Sequence, residues 1–173
     1  MVKIRALLLL IFFFAAPWAH AFAVVEANCL QGGCFKNGWT LYDLRTGQTS
    51  IVQCLEGDCT RVGWSMEMVG QGPGYNSICE PEGCFVSGWR TYDVITRRPV
   101  GSVTCMIAEN SERNCLTEGW VDRPQFGGQA VLRCIQKDCA QAGWEIWLPN
   151  GQWQRAICRP GGCFERGWIV EQR

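Results

Sequence analysis

The sequence predicts an all-β fold built from six tandem β-hairpins, each fastened by its own disulfide. Twelve cysteines fall into six local pairs, a Gly-Trp dipeptide follows each pair, and in the first, second and fifth units apolar residues lie at alternate positions around the tryptophan. The pairs are Cys29/Cys34, Cys54/Cys59, Cys79/Cys84, Cys105/Cys115, Cys134/Cys139 and Cys158/Cys163. The dipeptides are Gly38-Trp39, Gly63-Trp64, Gly88-Trp89, Gly119-Trp120, Gly143-Trp144 and Gly167-Trp168. A unit of about 25 residues that recurs in this way is typical of a tandem-repeat architecture.

Each unit has the pattern of two short antiparallel strands. In the fifth unit, Trp144, Ile146 and Leu148 lie at alternate positions, which is the period of a strand with one buried face. Asn150-Gly151 follows, a dipeptide that type I′ hairpin turns favour. We therefore expect about twelve short antiparallel strands in a meander. The sheet is expected to stay open and twisted, with a closed barrel or a trefoil-like arrangement as the alternative.

The repeats also match three units apart. The stretch 78–85 resembles 157–164, and both contain Gly-Cys-Phe. We infer that a first three-hairpin block, 29–104, was duplicated to give a second block, 105–173. Together they form one continuous domain, and residues 22–28 are interpreted as an N-terminal linker.

The first 21 residues have the composition of a secretory signal peptide. Positive charge is followed by an apolar core over 7–16, which is too short to span a bilayer. Ala19-His20-Ala21 supplies small residues for cleavage, so the exported chain is expected to begin at Phe22. No later apolar run is long enough for a membrane helix, and the product is predicted to be periplasmic or secreted.

Charge excludes two classes of partner. Lys3 and Arg5 leave with the signal, so the 16 basic residues become 14 against 16 acidic ones. A nearly neutral chain does not attract phosphate backbones or anionic lipids, so neither nucleic acid nor a membrane surface is an expected partner. A protein in the envelope or outside the cell is expected, and a glycan stays possible.

The cysteines predict structural disulfides. An even number of cysteines in an exported chain is typical of a disulfide framework. In the fourth unit the loop between Cys105 and Cys115 has nine residues rather than four, yet the two cysteines still bracket it. This favours pairing within each unit. Because the mature chain lacks histidine and Cys-x-x-Cys pairs, and because export favours disulfides, we expect no metal and no cofactor.

Little in the chain suggests catalysis. The single histidine, His20, belongs to the signal, so Ser-His-Asp and Cys-His nucleophilic sites are excluded from the mature chain. Asp43 and Asp93 occupy equivalent repeat positions and could be a glycosidase carboxylate pair. We favour the interpretation that each aspartate enters a hairpin turn, so no catalytic residue is assigned.

The repeated Gly-Trp dipeptides are interpreted as the core. We expect the six tryptophans to stack from unit to unit, and each glycine to make room for a neighbouring ring. Two features depart from the repeat. The first is the pair Trp147 and Trp153 around the fifth turn, of which Trp147 has the opposite parity to Trp144, and the second is the long loop 106–114. Insertions in repeat proteins often lie on the binding face. The candidate binding residues are Trp147, Trp153, Glu109, Glu112 and Arg113.

These observations predict an exported, non-enzymatic binding or structural module of the cell envelope. Protein binding is the favoured function, including the role of an inhibitor or immunity protein. The alternative is a carbohydrate or cell-wall binding protein that uses exposed tryptophans, and a secreted hydrolase is the least favoured class.

Overall fold

The computed structural model describes residues 22–108 and 113–172, which form a closed antiparallel barrel. Each strand pairs with the next along the chain, and the first pairs with the last. Within the described ranges the strands are β1 (Phe22–Cys29), β2 (Trp39–Asp43), β3 (Thr49–Cys54), β4 (Gly63–Met68), β5 (Gly72–Cys79), β6 (Gly88–Asp93), β7 (Pro99–Cys105), β8 (Trp120–Pro124), β9 (Ala130–Cys134), β10 (Trp144–Trp147), β11 (Trp153–Cys158) and β12 (Trp168–Gln172). The meander and the closed-barrel alternative are confirmed, whereas the open sheet is wrong.

Two single-turn helices follow the second cysteines of the first and sixth units: α1 (Cys34–Asn37) and α2 (Cys163–Arg166). In the part of the chain that the structure describes, no helix is long and apolar enough to cross a membrane.

The N-terminal strand completes the sixth hairpin. β12 begins with Trp168, as the outgoing strand of every other unit begins at or beside its tryptophan, and its return strand is β1. Ala27 pairs with Trp168 and precedes Cys29 by two residues, the spacing that separates Val52 from Cys54. Residues 22–28 are therefore part of a strand and not a linker, because the two edges of the sheet pair with each other.

The disulfides confirm the local pairing and define one end of the barrel, here called the disulfide end. All six join the cysteines of one unit, with Cα–Cα distances of 4.4–4.6 Å, within the range that a disulfide accepts. The second cysteine of each pair is 0% exposed. On the chain-entropy model each short loop contributes about 2 kcal/mol.

Backbone hydrogen bonds tie neighbouring loops together at the disulfide end. The N–H of Cys59 donates to the carbonyl of Phe35 at 3.0 Å, and the N–H of Cys84 donates to the carbonyl of Thr60 at 2.8 Å. The same bond recurs between Cys115 and Phe85, between Cys139 and Leu116, and between Cys163 and Ala140, at 2.7–2.9 Å.

Three phenylalanines fill the space inside these loops. Phe35, Phe85 and Phe164 come from the three Gly-Cys-Phe units, and their ring centroids lie 4.2–5.9 Å apart. Rings from units on different sides of the barrel thus meet at its axis and close the disulfide end.

The six repeat tryptophans form a closed ring inside the barrel. Consecutive indole centroids lie 5.0–6.3 Å apart, and the sixth indole contacts the first at 6.0 Å. Such tilted contacts are favourable aromatic geometries. Trp144 and Trp168 are buried, and the other four are half-buried. The stacking from unit to unit is therefore present, as a circle rather than a line.

Glycine is required at the six repeat positions for a reason that differs from the one expected. A Cβ on Gly88 would overlap the carbonyl oxygen of Val103 on the adjacent strand, and a Cβ on Gly167 would overlap that of Ala27. The same overlap occurs in all six units, where φ ranges from 87° to 118°. The glycine therefore makes room for the backbone of its neighbouring strand and not for an indole ring. The positive φ independently favours glycine.

The turn at Asn150-Gly151 also differs from expectation. The Gly151 N–H donates to the Leu148 carbonyl at 3.0 Å, and Gly151 has a φ of 79°, while Asn150 is not among the residues with positive φ. Pro149 occupies the second position, where a φ near −65° suits a type I turn. The loop is thus a type I turn followed by a left-handed glycine rather than a type I′ turn.

Replacing Gly88 with alanine is expected to destabilise the barrel by more than about 3 kcal/mol, because the backbone clash and the positive φ both oppose a side chain. The matched control is Gly57→Ala, where φ is 74° but a Cβ would meet nothing within 4 Å. That control should cost about 1 kcal/mol. Urea unfolding of both oxidised variants measures the difference, and equal losses would contradict the carbonyl-contact explanation.

Candidate functional site

A broad groove runs over the outer wall across β6, β7 and β8. Its volume is about 810 Å³, and it reaches the loop that follows Cys79 at the disulfide end. We call it the arginine groove after Arg90, Arg113 and Arg123, which line it together with Glu80, Glu82, Ser102 and Thr104.

Strand register places two of the arginines in one row. Arg90 on β6 lies opposite Ser102 on β7, and Ser102 lies opposite Arg123 on β8. Arg90, Ser102 and Arg123 lie on the opposite face of the sheet from the inward-facing Trp89 and Trp120, so they project from the outer wall. The small serine between the two long side chains forms the floor of the groove.

The unit-four loop contributes the third arginine. Arg113 makes an isolated antiparallel bridge with Ile107 at the base of that loop, and its side chain lines the groove. Of the loop residues predicted to bind, Arg113 is the one that the structure describes. Glu109 and Glu112 lie outside the described residues.

Three arginines and two glutamates line the groove, so its lining has one net positive charge. The Arg90 Nε lies 2.8 Å from the Glu80 Oε1, and this hydrogen bond raises the pKa of Arg90. The pair is largely exposed, so it contributes little to stability. Arg123 donates from Nη1 to the Thr104 hydroxyl at 3.3 Å, which leaves most of its five donors for other groups.

The two predicted tryptophans form a separate surface. Trp147 and Trp153 pair directly across β10 and β11, beside the fifth hairpin turn. Trp147 is 38% exposed, and the Arg133 guanidinium lies 5.8 Å from its ring centroid, a distance at which cations attract aromatic rings.

The structure does not join this tryptophan pair to the unit-four loop. Trp147 ends β10 at the turn end of the barrel, whereas the loop 106–114 connects β7 to β8 at the disulfide end. A single contact surface that contains both is therefore not formed.

No family model, curated protein or solved structure matches this chain.

The interior between the tryptophan ring and the hairpin turns, here called the lumen, has two unlike sides. On one side Leu41, Leu132 and Ile146 pack against the buried core. On the other side a cavity of about 260 Å³, here called the lumen cavity, is lined by Tyr75, Thr91, Val100, Gly101, Asp122 and Pro124.

Asp122 is the acidic group of the lumen cavity. It shares the inward parity of Trp120 and lies opposite Val103 and Ala130. Burial raises the pKa of its carboxyl, and a hydrogen bond from the Arg123 N–H opposes this only in part. Asp122 was not among the predicted site residues, although the sequence distinguishes it from its counterparts in the other units. The residue two places after each repeat tryptophan is Leu41, Met66, Thr91, Asp122, Ile146 or Val170, and one of these is charged.

The carboxylates that we weighed for catalysis serve their own turns. The Asp43 Oδ1 accepts the N–H groups of Arg45 and Thr46 at 2.8 and 3.1 Å. The Asp93 Oδ1 accepts the N–H and the hydroxyl of Thr96 at 2.6 and 2.8 Å. The backbone hydrogen bond from Arg45 is the largest cause that lowers the pKa of Asp43, and that from Thr96 lowers the pKa of Asp93. Each aspartate thus does what the turn interpretation expects.

Replacing Asp122 with asparagine is expected to raise the melting temperature at pH 7. A folded-state pKa above the unfolded value of 3.8 means that this group's stabilisation is present below pH 3.8 and is lost as the pH rises through the folded pKa. The variant removes that loss, so the amount by which its melting temperature exceeds that of the native protein should decrease as the pH falls below about 4.

The matched control is Asp58→Asn, because the Thr60 hydroxyl lowers the pKa of Asp58 and its contribution therefore has the opposite sign. This control should melt below the native protein at pH 7. Thermal melts at pH 7 and pH 3 test both variants, and a lower melting temperature of the Asp122 variant at pH 7 would contradict the assignment.

Proposed function

We propose that this protein is an exported, non-enzymatic protein-binding module whose arginine groove holds an acidic segment of its partner. The observation that carries the proposal is the row of Arg90 and Arg123 across three strands, with Arg113 beside it in the same groove. Arginine is the side chain best suited to a carboxylate, since its planar fork donates two parallel hydrogen bonds.

The spacing of the groove suits an extended segment. Arg90 and Arg123 are separated by two strand spacings, or about 10 Å at the backbone. A chain of three or four residues spans that distance. Carboxylates on such a segment can therefore reach both guanidinium groups, while Ser102 and Thr104 supply hydroxyls for its backbone.

The scaffold supports the groove rigidly. The strands that hold Arg90 and Arg123 belong to the closed barrel, and disulfides fasten the loop before β6 and the loop after β7. A surface fixed before binding loses little conformational entropy when the partner arrives, which favours affinity. Six disulfides also fit a protein that works in an oxidising compartment outside the cytosol.

Capture of a partner from envelope extract by the tagged chain 22–173 tests the proposal. The double variant Arg113→Glu/Arg123→Glu should weaken capture at least about tenfold, since it reverses two charges in the groove. The matched control is Arg61→Glu/Arg166→Glu, which makes the same charge change at two exposed arginines outside the groove. Binding should also weaken as salt increases. Equal capture by the native chain and the groove variant would overturn the proposal.

A carbohydrate-binding function is the second candidate, and the pair Trp147 and Trp153 is the observation that favours it. This proposal rests on that outer pair, because the repeat tryptophans face the lumen and contact one another. Trp147 offers an exposed ring that a sugar face can cover.

If glycans bind there, cell-wall fragments should change tryptophan fluorescence with saturation, and Trp147→Ala should weaken this binding about tenfold. The groove double variant serves as the control, and its glycan response should equal that of the native chain. A saturable response that is unchanged in Trp147→Ala would exclude this surface.

A further inference from the structure

The lumen cavity contains a carboxylate that lacks a basic counterpart in its lining. The lining residues other than Asp122 are uncharged at neutral pH. The neighbouring Arg123 has the opposite parity, and its guanidinium donates to Thr104 on the outer wall. The two residues that face Asp122 across its strand are Val103 and Ala130, both apolar. A partly desolvated carboxylate in such surroundings is stabilised by a cation that enters from solvent.

Two repeat tryptophans share the inward face of this carboxylate and lie outside the lining of the cavity. Trp120 precedes Asp122 by two residues and Trp89 precedes Thr91 by two, so each indole starts about 7 Å along the strand from the cavity. Both indoles are half-buried, and their centroids are 6.3 Å apart, the widest spacing in the tryptophan ring. The faces of aromatic rings attract organic cations, and Tyr75 is the aromatic residue in the lining of the cavity.

The polar groups of the cavity can orient a small ligand. The Thr91 hydroxyl lies 3.0 Å from the Ser77 hydroxyl, and Ser77 is 5% exposed. Tyr75 adds a phenol at the wall of the cavity. Gly101 pairs with Thr91 across β6 and β7 and also lines the cavity, and a Cβ there would lie 3.3 Å from the Pro124 Cα.

The size and the ligand count of the cavity exclude several classes of cation. About 260 Å³ is smaller than the usual range for drug-sized ligands, so the occupant must be small. Calcium requires six to eight oxygen ligands, and a single carboxylate does not supply them. Among the described residues no group of three potential metal ligands is found.

We propose that the lumen cavity binds a small alkylammonium ion, paired with the Asp122 carboxylate and packed against the ring of Tyr75. The carboxylate supplies the charge, the Tyr75 ring supplies a polarisable apolar wall, and the Thr91 hydroxyl orients any N–H groups. This site lies inside the barrel and is independent of the arginine groove.

Titration of the native chain with tetramethylammonium chloride tests the site, with tert-butanol as a neutral molecule of similar shape. Calorimetry should show saturable binding of the cation and none of the alcohol. In ¹⁵N spectra the backbone N–H resonances of Tyr75 and Asp122 should shift, while the indole N–H resonance of Trp147 on the outer wall should stay in place. No saturation, or an equal response to the alcohol, would overturn the proposal.

Variants locate the binding. Asp122→Asn should weaken tetramethylammonium binding at least tenfold, whereas Glu67→Gln, an exposed carboxylate on β4, should leave it unchanged. Should Asp122→Asn fail to fold, Ala130→Leu covers the carboxylate from the opposite strand without removing it, and the same loss is expected. Undiminished binding in a folded Asp122→Asn or Ala130→Leu variant would contradict the site.

Discussion

The rest of the structure depends on the close approach between each repeat glycine and the carbonyl oxygen of the adjacent strand. Because the glycine has no Cβ, the two strands of each hairpin can meet at this level more closely than a side chain would allow. The positive φ of the glycine comes directly before the tryptophan that enters the barrel. Six such contacts around the barrel bring six indoles into mutual contact, so one backbone feature in each unit produces the tryptophan ring.

The tryptophan ring divides the interior into regions with different roles. Towards the disulfide end, three phenylalanines in mutual contact and seven buried cysteines fill the interior and form part of the core. Towards the hairpin turns, the inward-facing residues differ more from unit to unit. On one side of the lumen, small or polar residues replace the apolar ones. Variation away from the ring is therefore compatible with the fold. The arginine groove crosses β6 to β8, and the lumen cavity is lined by residues of β5 to β8, where that variation is found.

Local features of the fold could be predicted from the sequence because they are encoded within one unit. The cysteine pairs, the Gly-Trp dipeptides and, in three units, the apolar alternation around the tryptophan predict a hairpin and its disulfide without reference to other units. Closure could not be predicted, since the pairing of Ala27 with Trp168 joins positions that no local pattern relates. The role of the repeat glycines could not be predicted either, because the carbonyl that each glycine contacts belongs to another strand.

The binding surfaces could also be predicted only in part from the sequence. Arg113 was found because it lies in an insertion, but the row of Arg90 and Arg123 exists only once the strand register is known. Asp122 has an inward parity that the sequence displays, yet alternation alone does not say whether the inward side is a filled core or a cavity.

Closure of the barrel by its first and last strands imposes an order of assembly. Each disulfide closes a loop within one unit, so the oxidised units can form one after another as the chain emerges, and none of the six bonds requires a distant cysteine. This matters because twelve cysteines can pair in on the order of ten thousand ways. The contact between β1 and β12 must wait for the C-terminal strand, and such long-range pairing is slow. Until then the chain carries two unpaired strand edges, one at each end of a nearly complete sheet, and an edge of this kind can equally well pair with another copy. The time between the last disulfide and closure is thus when the protein is most open to strand exchange.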